Sequence, residues 1–327
     1  LGQTKKGGIC VKPSWFFYNR ATTPRVSIIL LDWSCRESIQ SLEYLNRQSV
    51  SRELYEILWI EYYSRVFPPL QDGLTQYALS NRPPMADQWI ILGIPENICY
   101  HKHLMYNLGI LASRGDIVCI ADSDAIYSPA FIESILREFE ANKEIVMHFD
   151  EIRNVNSRFY PFNYPSIAEI LGPGCINWVN GRSKGMVDLS DPLHLKNYGA
   201  CMCAWRRDLL DIGGADESRD YLGHICGPYE MTFRLINAGK REIWHDKEYI
   251  YHVWHPGTGG EGNYLGPHDG RYMSSTALDI RQTGRIMPLE ENPAIREIRM
   301  GAGKEMTNEE LLSSAIREEK VHSWTVG

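Results

Sequence analysis

Residues 26–31 read Val-Ser-Ile-Ile-Leu-Leu, an almost unbroken apolar run. A strand reads this way when both of its faces are buried, as in a parallel sheet covered by helices on both sides. Ser34, with Glu37 three residues later, has the form of a capping box, and Ile39, Leu42 and Leu45 follow at helical spacing. Residues 55–60, Tyr-Glu-Ile-Leu-Trp-Ile, form a second strand. Two parallel strands joined through a helix need a right-handed crossover, so the opening of the chain sets an α/β class. A third strand over 116–121 follows a helix marked by Leu104, Leu108 and Leu111 and stopped at Gly115. Ser128-Pro129 reads as an N-cap and a first-turn proline. The helix behind it presents Phe131, Ile132, Ile135, Leu136 and Phe139, and residues 144–149 read as a fourth strand.

Elsewhere the periodicity weakens. Prolines at 68, 69, 83, 84 and 95 break that region into loops and short pieces, and residues 153–200 read as irregular. Helices are expected over 206–212, stopped by Gly213-Gly214, and over 228–238, stopped by Gly239. Short strands are expected over 241–245 and 249–253. Residues 256–270 contain six glycines and two prolines, the composition of a mobile lid. Thr307 and Glu310 cap a tail helix with Leu311, Leu312 and Ile316 on one side. The expected organisation is an arm over 1–24 that docks through Trp15, Phe16, Phe17 and Tyr18, one domain over 25–270, and a C-terminal helical extension over 271–327.

Composition narrows the function classes. The apolar fraction of 43% excludes disorder as the main state. A net charge of -7 with no dense basic run argues against nucleic acid as a partner. No apolar stretch approaches the ~20 residues that span a bilayer, and no secretory leader is apparent at the start. The eight cysteines form no CxxC pair, and Cys201 and Cys203 stand too close for a zinc knuckle. Reduced thiols and a cytoplasmic location are expected, with any membrane contact a peripheral one through the arm or the tail helix.

The chemistry centres on Asp122-Ser123-Asp124, directly after the third strand. Strand ends in open α/β sheets face the ligand crevice. In extended chain, carboxylates at i and i+2 share a side and can grip one divalent cation that leaves positions open for phosphate oxygens. Such a cation neutralises a departing diphosphate. Taken alone, the motif reads better as a solvated turn, because short acidic patterns are common.

Its surroundings resemble the family 2 glycosyltransferases with the GT-A fold. The motifs are Asn107-Leu108-Gly109-Ile110, Ser113-Arg114-Gly115-Asp116, the strand, and then Asp122-Ser123-Asp124. Further on, Gly199-Ala200-Cys201-Met202-Cys203-Ala204-Trp205-Arg206-Arg207 is similar to the family's strand that turns into an Arg-Arg helix. Gly213-Gly214-Ala215-Asp216-Glu217 is similar to its G-G-F-D-E segment. Glu230 and Arg234 match the second acid and the Arg of its E-D-x-[DE]-x-x-x-R pattern, with Gly227 and Pro228 replacing the first two acids. Leu31-Asp32-Trp33-Ser34 stands where the family has Pro-Thr-Tyr-Asn.

The resemblance implies a mostly parallel central sheet flanked by helices, with 25–150 as the nucleotide-binding half and 151–270 as the acceptor half. It implies a nucleotide-diphospho-sugar donor and a glycan, lipid-linked or small-molecule acceptor. Glu61 takes the place of the acid that accepts the base-ring imide N–H, with Asp32, Asn107, Asp122 and Ser123 as further nucleotide contacts. Mn²⁺ or Mg²⁺ is expected on Asp122, Asp124 and His252, with His255 in reserve for His252. Glu230 is the implied base for the acceptor hydroxyl, with Asp216 and Glu217 behind it. Trp178, Asn197 and His255 are candidates for acceptor contact. Two rivals stay open: a nucleotidyltransferase acting on a sugar phosphate, and a catalytically degenerate sugar- or partner-binding module suggested by the missing acid pair.

Overall fold

Alternate residues of the first apolar run go to opposite faces of one sheet. Val26, Ile28 and Leu30 join one buried cluster, and Ile29 and Leu31 join the other. Two-sided burial is why the run has no polar alternation. The computed structural model describes residues 13–18, 23–32, 38–66, 68–79, 85–185, 196–223, 228–256, 270–301, 306–317, 320–321 and 323–324.

In chain order the first half contains β1 (Ser14–Phe17), β2 (Val26–Asp32), α1 (Gln40–Leu45), β3 (Tyr55–Tyr63), α2 (Pro68–Leu79), β4 (Gln88–Ile94), α3 (Lys102–Ala112), β5 (Ile117–Asp122), β6 (Ile126–Tyr127) and α4 (Phe131–Ala141). Next come β7 (Ile145–His148), β8 (Glu151–Asn154), α5 (Ile167–Ile170), β9 (Trp178–Val179), β10 (Arg182–Ser183), β11 (Cys201–Trp205) and α6 (Arg206–Asp211). The chain closes with α7 (Tyr229–Asn237), β12 (Arg241–Trp244), β13 (Ile250–Val253), α8 (Gly270–Thr283), α9 (Pro293–Arg299) and α10 (Asn308–Ala315).

The main sheet has eight strands in the order β1-β4-β3-β2-β5-β11-β7-β12. Strands β4, β3, β2 and β5 run parallel, and β7 and β12 continue that direction. Only β1 and β11 are reversed. This is the mixed α/β architecture with a large, mostly parallel sheet that the sequence implied. Helices α1 and α4 cover one face and α3, α6 and α10 the other. In the C-terminal extension, α8 packs on α7, α9 on α6 and α10 on α3. Among the described residues no helix is long and apolar enough to cross a membrane.

A second, three-stranded sheet carries the site. Strand β13 lies between β6, antiparallel to it, and β8, parallel to it. The 249–253 segment therefore leaves the main sheet and stacks beside the turn that follows β5.

Several expectations change. The aromatic arm segment is strand β1, which pairs with β4 at the sheet edge. Residues 68–95 contain the helix α2 and the buried strand β4 rather than short pieces. Pro68 and Pro69 open α2, where a missing N–H costs nothing. Helix α3 ends at Ser113, before Gly115. Gly115 answers a different need, because a Cβ there would lie 2.8 Å from the Val26 carbonyl carbon. The N-cap of α4 is Ala130, while the Ser128 hydroxyl accepts from the Ala130 N–H at 3.1 Å. The Ser34–Glu37 capping box, Trp33, Gly227 and the expected lid over 257–269 lie outside the described residues.

Candidate active site

Strand β5 ends at Asp122, and the chain turns at once. The Ala125 N–H donates to the Asp122 carbonyl at 3.3 Å, and the Asp122 N–H donates to the Ala200 carbonyl of the turn before β11 at 3.0 Å. The Ser123 hydroxyl donates to the Leu31 carbonyl at 2.6 Å, and Gln40 Nε2 donates to the Asp124 carbonyl at 3.2 Å. Ser123, expected to touch nucleotide, is wholly buried and instead fastens the turn to the end of β2. Since the chain turns, the two aspartates do not share a strand face as the extended reading required.

Asp124 meets two histidines. Its Oδ2 lies 3.5 Å from His252 Nε2 and 3.3 Å from His255 Nε2, and the two imidazole nitrogens are 3.3 Å apart. His252 sits on β13, and His255 follows the strand end. The three side chains are 13%, 22% and 18% exposed, so they are ordered by packing yet reachable. Burial alone would lower the His252 pKa, but the hydrogen bond and charge of Asp124 outweigh it and hold the pKa above its ordinary value.

One carboxylate oxygen and two imidazole nitrogens at these spacings suit a single ion. Bonds of about 2.0–2.2 Å in four- to six-coordinate shells put neighbouring ligand atoms roughly 2.8–3.6 Å apart. The donor set favours a manganese-type ion over Mg²⁺, which prefers an all-oxygen shell. Asp122 is outside this three-atom group, and His255, expected on the acceptor side, is inside it.

A charged chain runs alongside, unnoticed in the sequence reading. Arg153 on β8 is the register partner of His252 on β13. Its Nε donates to Glu151, and Asn197 Nδ2 donates to the other Glu151 oxygen at 2.6 Å. Burial would weaken the Arg153 charge, but Glu151, Asp122 and Asp124 together more than restore it. Asn197, also held by its N–H on Asp150 at 3.3 Å, is thus a brace behind Arg153. The only sequence signal was the i, i+2 spacing of Glu151 and Arg153, in a stretch with no obvious periodicity. Trp178, the other acceptor candidate, packs edge-on against Tyr249 at 5.3 Å.

Asp32, the last residue of β2, and Glu61, two residues before the end of β3, are register partners on adjacent parallel strands, both wholly buried. Trp59 Nε1 donates to Glu61 at 2.7 Å. They lie at the same sheet end as Asp122, whose partner in β2 is Leu31.

The remaining expected site residues belong to a different, closed network. Asn107 is wholly buried. Its Nδ2 donates to the Ala215 carbonyl and to Glu217, both at 2.9 Å, and its Oδ1 accepts from the Ala215 N–H at 2.7 Å. These bonds absorb the whole amide, so Asn107 braces the Gly213-Gly214 corner instead of meeting a nucleotide. A Cβ on Gly214 would come within 2.4 Å of Asn107 Oδ1, at a φ of +69°. Glu230 is 1% exposed. Arg234 Nε and Nη2 donate to it at 2.6 and 3.0 Å, and the Asp216 N–H donates at 3.0 Å. Both oxygens are occupied, which argues against Glu230 as the base. Asp216 accepts from the Ser218, Leu289 and Glu290 N–H groups, and Glu217 takes Asn107, Asn292, Arg317 and Lys320. Neither is a reserve base.

Comparison with known proteins bears on the first of these two groups. The family model of glycosyl transferase family 2 matches residues 101–213, which include the Asp122-Ser123-Asp124 turn but not His252 or His255. No curated protein matches the chain. Among solved structures it is similar to S. aureus TarS 1-349, with 11% identity and a TM-score of 0.44, over 70% of this chain and 60% of that one. That alignment spans less than two thirds of the TarS chain. The complex of TarS 1-349 with UDP-GlcNAc matches at 11% identity and TM-score 0.48, over 90% of this chain and 73% of that one. The complex with UDP matches at 11% identity and TM-score 0.45, over 92% and 83%.

Proposed function

We propose that this chain, which carries the glycosyl transferase family 2 pattern over residues 101–213, transfers a sugar from a nucleotide diphosphate donor to an acceptor hydroxyl with a manganese-type ion. The observation that carries the reading is the Asp124–His252–His255 cluster, built on the turn after β5, whose neighbour β2 ends at Asp32. When bound, the ion supplies Lewis-acid stabilisation of the departing diphosphate. Asp124, His252 and His255 hold it, and Asp122 lies next to the phosphate path. Glu61 reads the base, with Asp32 beside it. The Ser123 and Gln40 hydrogen bonds keep the Asp124 turn from relaxing when charge builds on the leaving group. The five described cysteines are free thiols, consistent with a reducing compartment, and we place the reaction there.

Thermal unfolding with a panel of nucleoside diphosphates, with and without Mn²⁺, tests the proposal. A binder present at 100 times its Kd adds about 2.7 kcal/mol of stability. The Mn²⁺-dependent part of that gain should vanish in Asp124→Ala. A nucleotide affinity indifferent to Mn²⁺ would remove the basis of the proposal. A second reading, a binding module without transferase chemistry, draws support from the occupied carboxylate of Glu230. It expects the same Mn²⁺-dependent binding with neither transfer nor donor hydrolysis. Release of pyrophosphate instead of a nucleoside diphosphate would point to nucleotidyl transfer.

A further inference from the structure

We infer that Arg153 is a binding residue for the donor's diphosphate, a fixed protein cation working beside the ion. The inference rests on the glycosyltransferase reading above and adds a residue to it. Three observations carry it. First, parallel register places Arg153 opposite His252, so the two side chains leave the small sheet on the same side. Second, the guanidinium is aimed before any ligand arrives. Its Nε is engaged by Glu151, which Asn197 holds in turn, and Asn197 belongs to the turn leading into β11. Among the described residues its Nη nitrogens make no hydrogen bond, and the side chain remains 36% exposed. Third, both Asp122 and Asp124 act on its charge, so it stands within electrostatic reach of the place where phosphates would meet the ion.

A planar fork anchored at one edge presents its other edge to two oxygens of a phosphate, a geometry that a lysine cannot reproduce. Pre-anchoring limits the side-chain entropy lost on binding. The same charge repels a divalent ion when no donor is present. Arg153 therefore couples ion and donor: the ion binds more weakly to the empty site and gains when the diphosphate engages the guanidinium.

The test uses the full chain with Arg153→Gln and Arg153→Lys. Calorimetry reads Mn²⁺ alone. With Mn²⁺ present, it then reads whichever of UDP, GDP, CDP and ADP binds most tightly, and the matching monophosphate. Arg153→Gln should lose at least about tenfold in diphosphate affinity and leave the monophosphate within about twofold. It should bind Mn²⁺ as well as or better than the wild type, which also shows that the site is folded. Arg153→Lys should recover only part of the loss. Equal loss for both nucleotides, an unchanged diphosphate affinity, or loss of Mn²⁺ binding in Arg153→Gln would overturn the inference while leaving the function proposed above intact. A wild-type chain that binds no nucleoside diphosphate with Mn²⁺ would sink both.

Discussion

Two groups of acids in this molecule look alike in sequence and differ in every physical respect. Asp124 meets imidazoles at 3.3–3.5 Å and keeps part of its surface open. Glu230 and Asp216 are sealed in the core, and each oxygen is met by a fixed donor or cation. A carboxylate whose hydrogen-bonding capacity is exhausted by the fold has none left for a substrate. One that is ordered but still open can take an ion or a proton. Saturation, more than position in a motif, separates the acid that builds the protein from the acid that serves it.

The largest effect should come from breaking the closed group. Glu230→Ala leaves the Arg234 charge buried and unpaired, which should cost about 3–5 kcal/mol, read from the urea midpoint. Asp124→Ala, at a partly open site, should cost less, about 1 kcal/mol. If Glu230→Ala keeps full stability and loses only turnover, the distinction between the two groups fails.

His255 sharpens the comparison from the other side. As a member of the open cluster, His255→Ala should weaken Mn²⁺ binding at least about tenfold, ~1.4 kcal/mol, with little change in the melting temperature. An unchanged Mn²⁺ affinity with a raised acceptor KM would return His255 to the acceptor role that its sequence position suggested.

A histidine of the closed kind gives an effect that is silent at neutral pH and appears only in acid. His148 Nδ1 lies 3.0 Å from the Cys201 carbonyl and therefore donates to it, which leaves Nε2 to accept from Thr232 at 3.3 Å. Burial lowers its pKa to about 4. The unfolded chain takes up a proton near pH 6.5 that the folded chain refuses. Stability should therefore fall as the pH drops below about 6.5, by up to ~1.4 kcal/mol per pH unit, until the folded pKa is reached. His148→Gln should flatten that slope by about one proton between pH 6.5 and 4. An identical slope in the variant would show that His148 does not behave as a refused proton.

What could be read in advance follows the same division. Strands β2 and β5 were legible because burial on two faces leaves an apolar run. Asp124 and His252 were legible because each stands at or just beyond a strand. Helix α2 was missed because Pro68 and Pro69 count against a helix everywhere except in its first turn. His255 was placed only in reserve behind His252 and as an acceptor contact, because the direction of the chain past β13 is not written in local sequence. Asn107 and Glu230 were noticed as site residues, and the structure puts both inside a closed hydrogen-bond network. Their partners Ala215 and Arg234 were in plain view, but residue spacing does not reveal whether a hydrogen-bonding group is already spent. Arg153 carried too faint a pattern to be noticed.

The small sheet has a consequence for how the protein comes into being. It gathers the turn after β5 and the far later strand β13. During synthesis the first part of a chain emerges long before the last. A growing polypeptide that has exposed only its early strands therefore owns a single one of the three side chains proposed to hold the ion. The capacity to grip a cation arrives late and all at once, when β13 slots in between two strands already waiting for it. Until then the half-made protein offers the proposed ion one carboxylate and no imidazole.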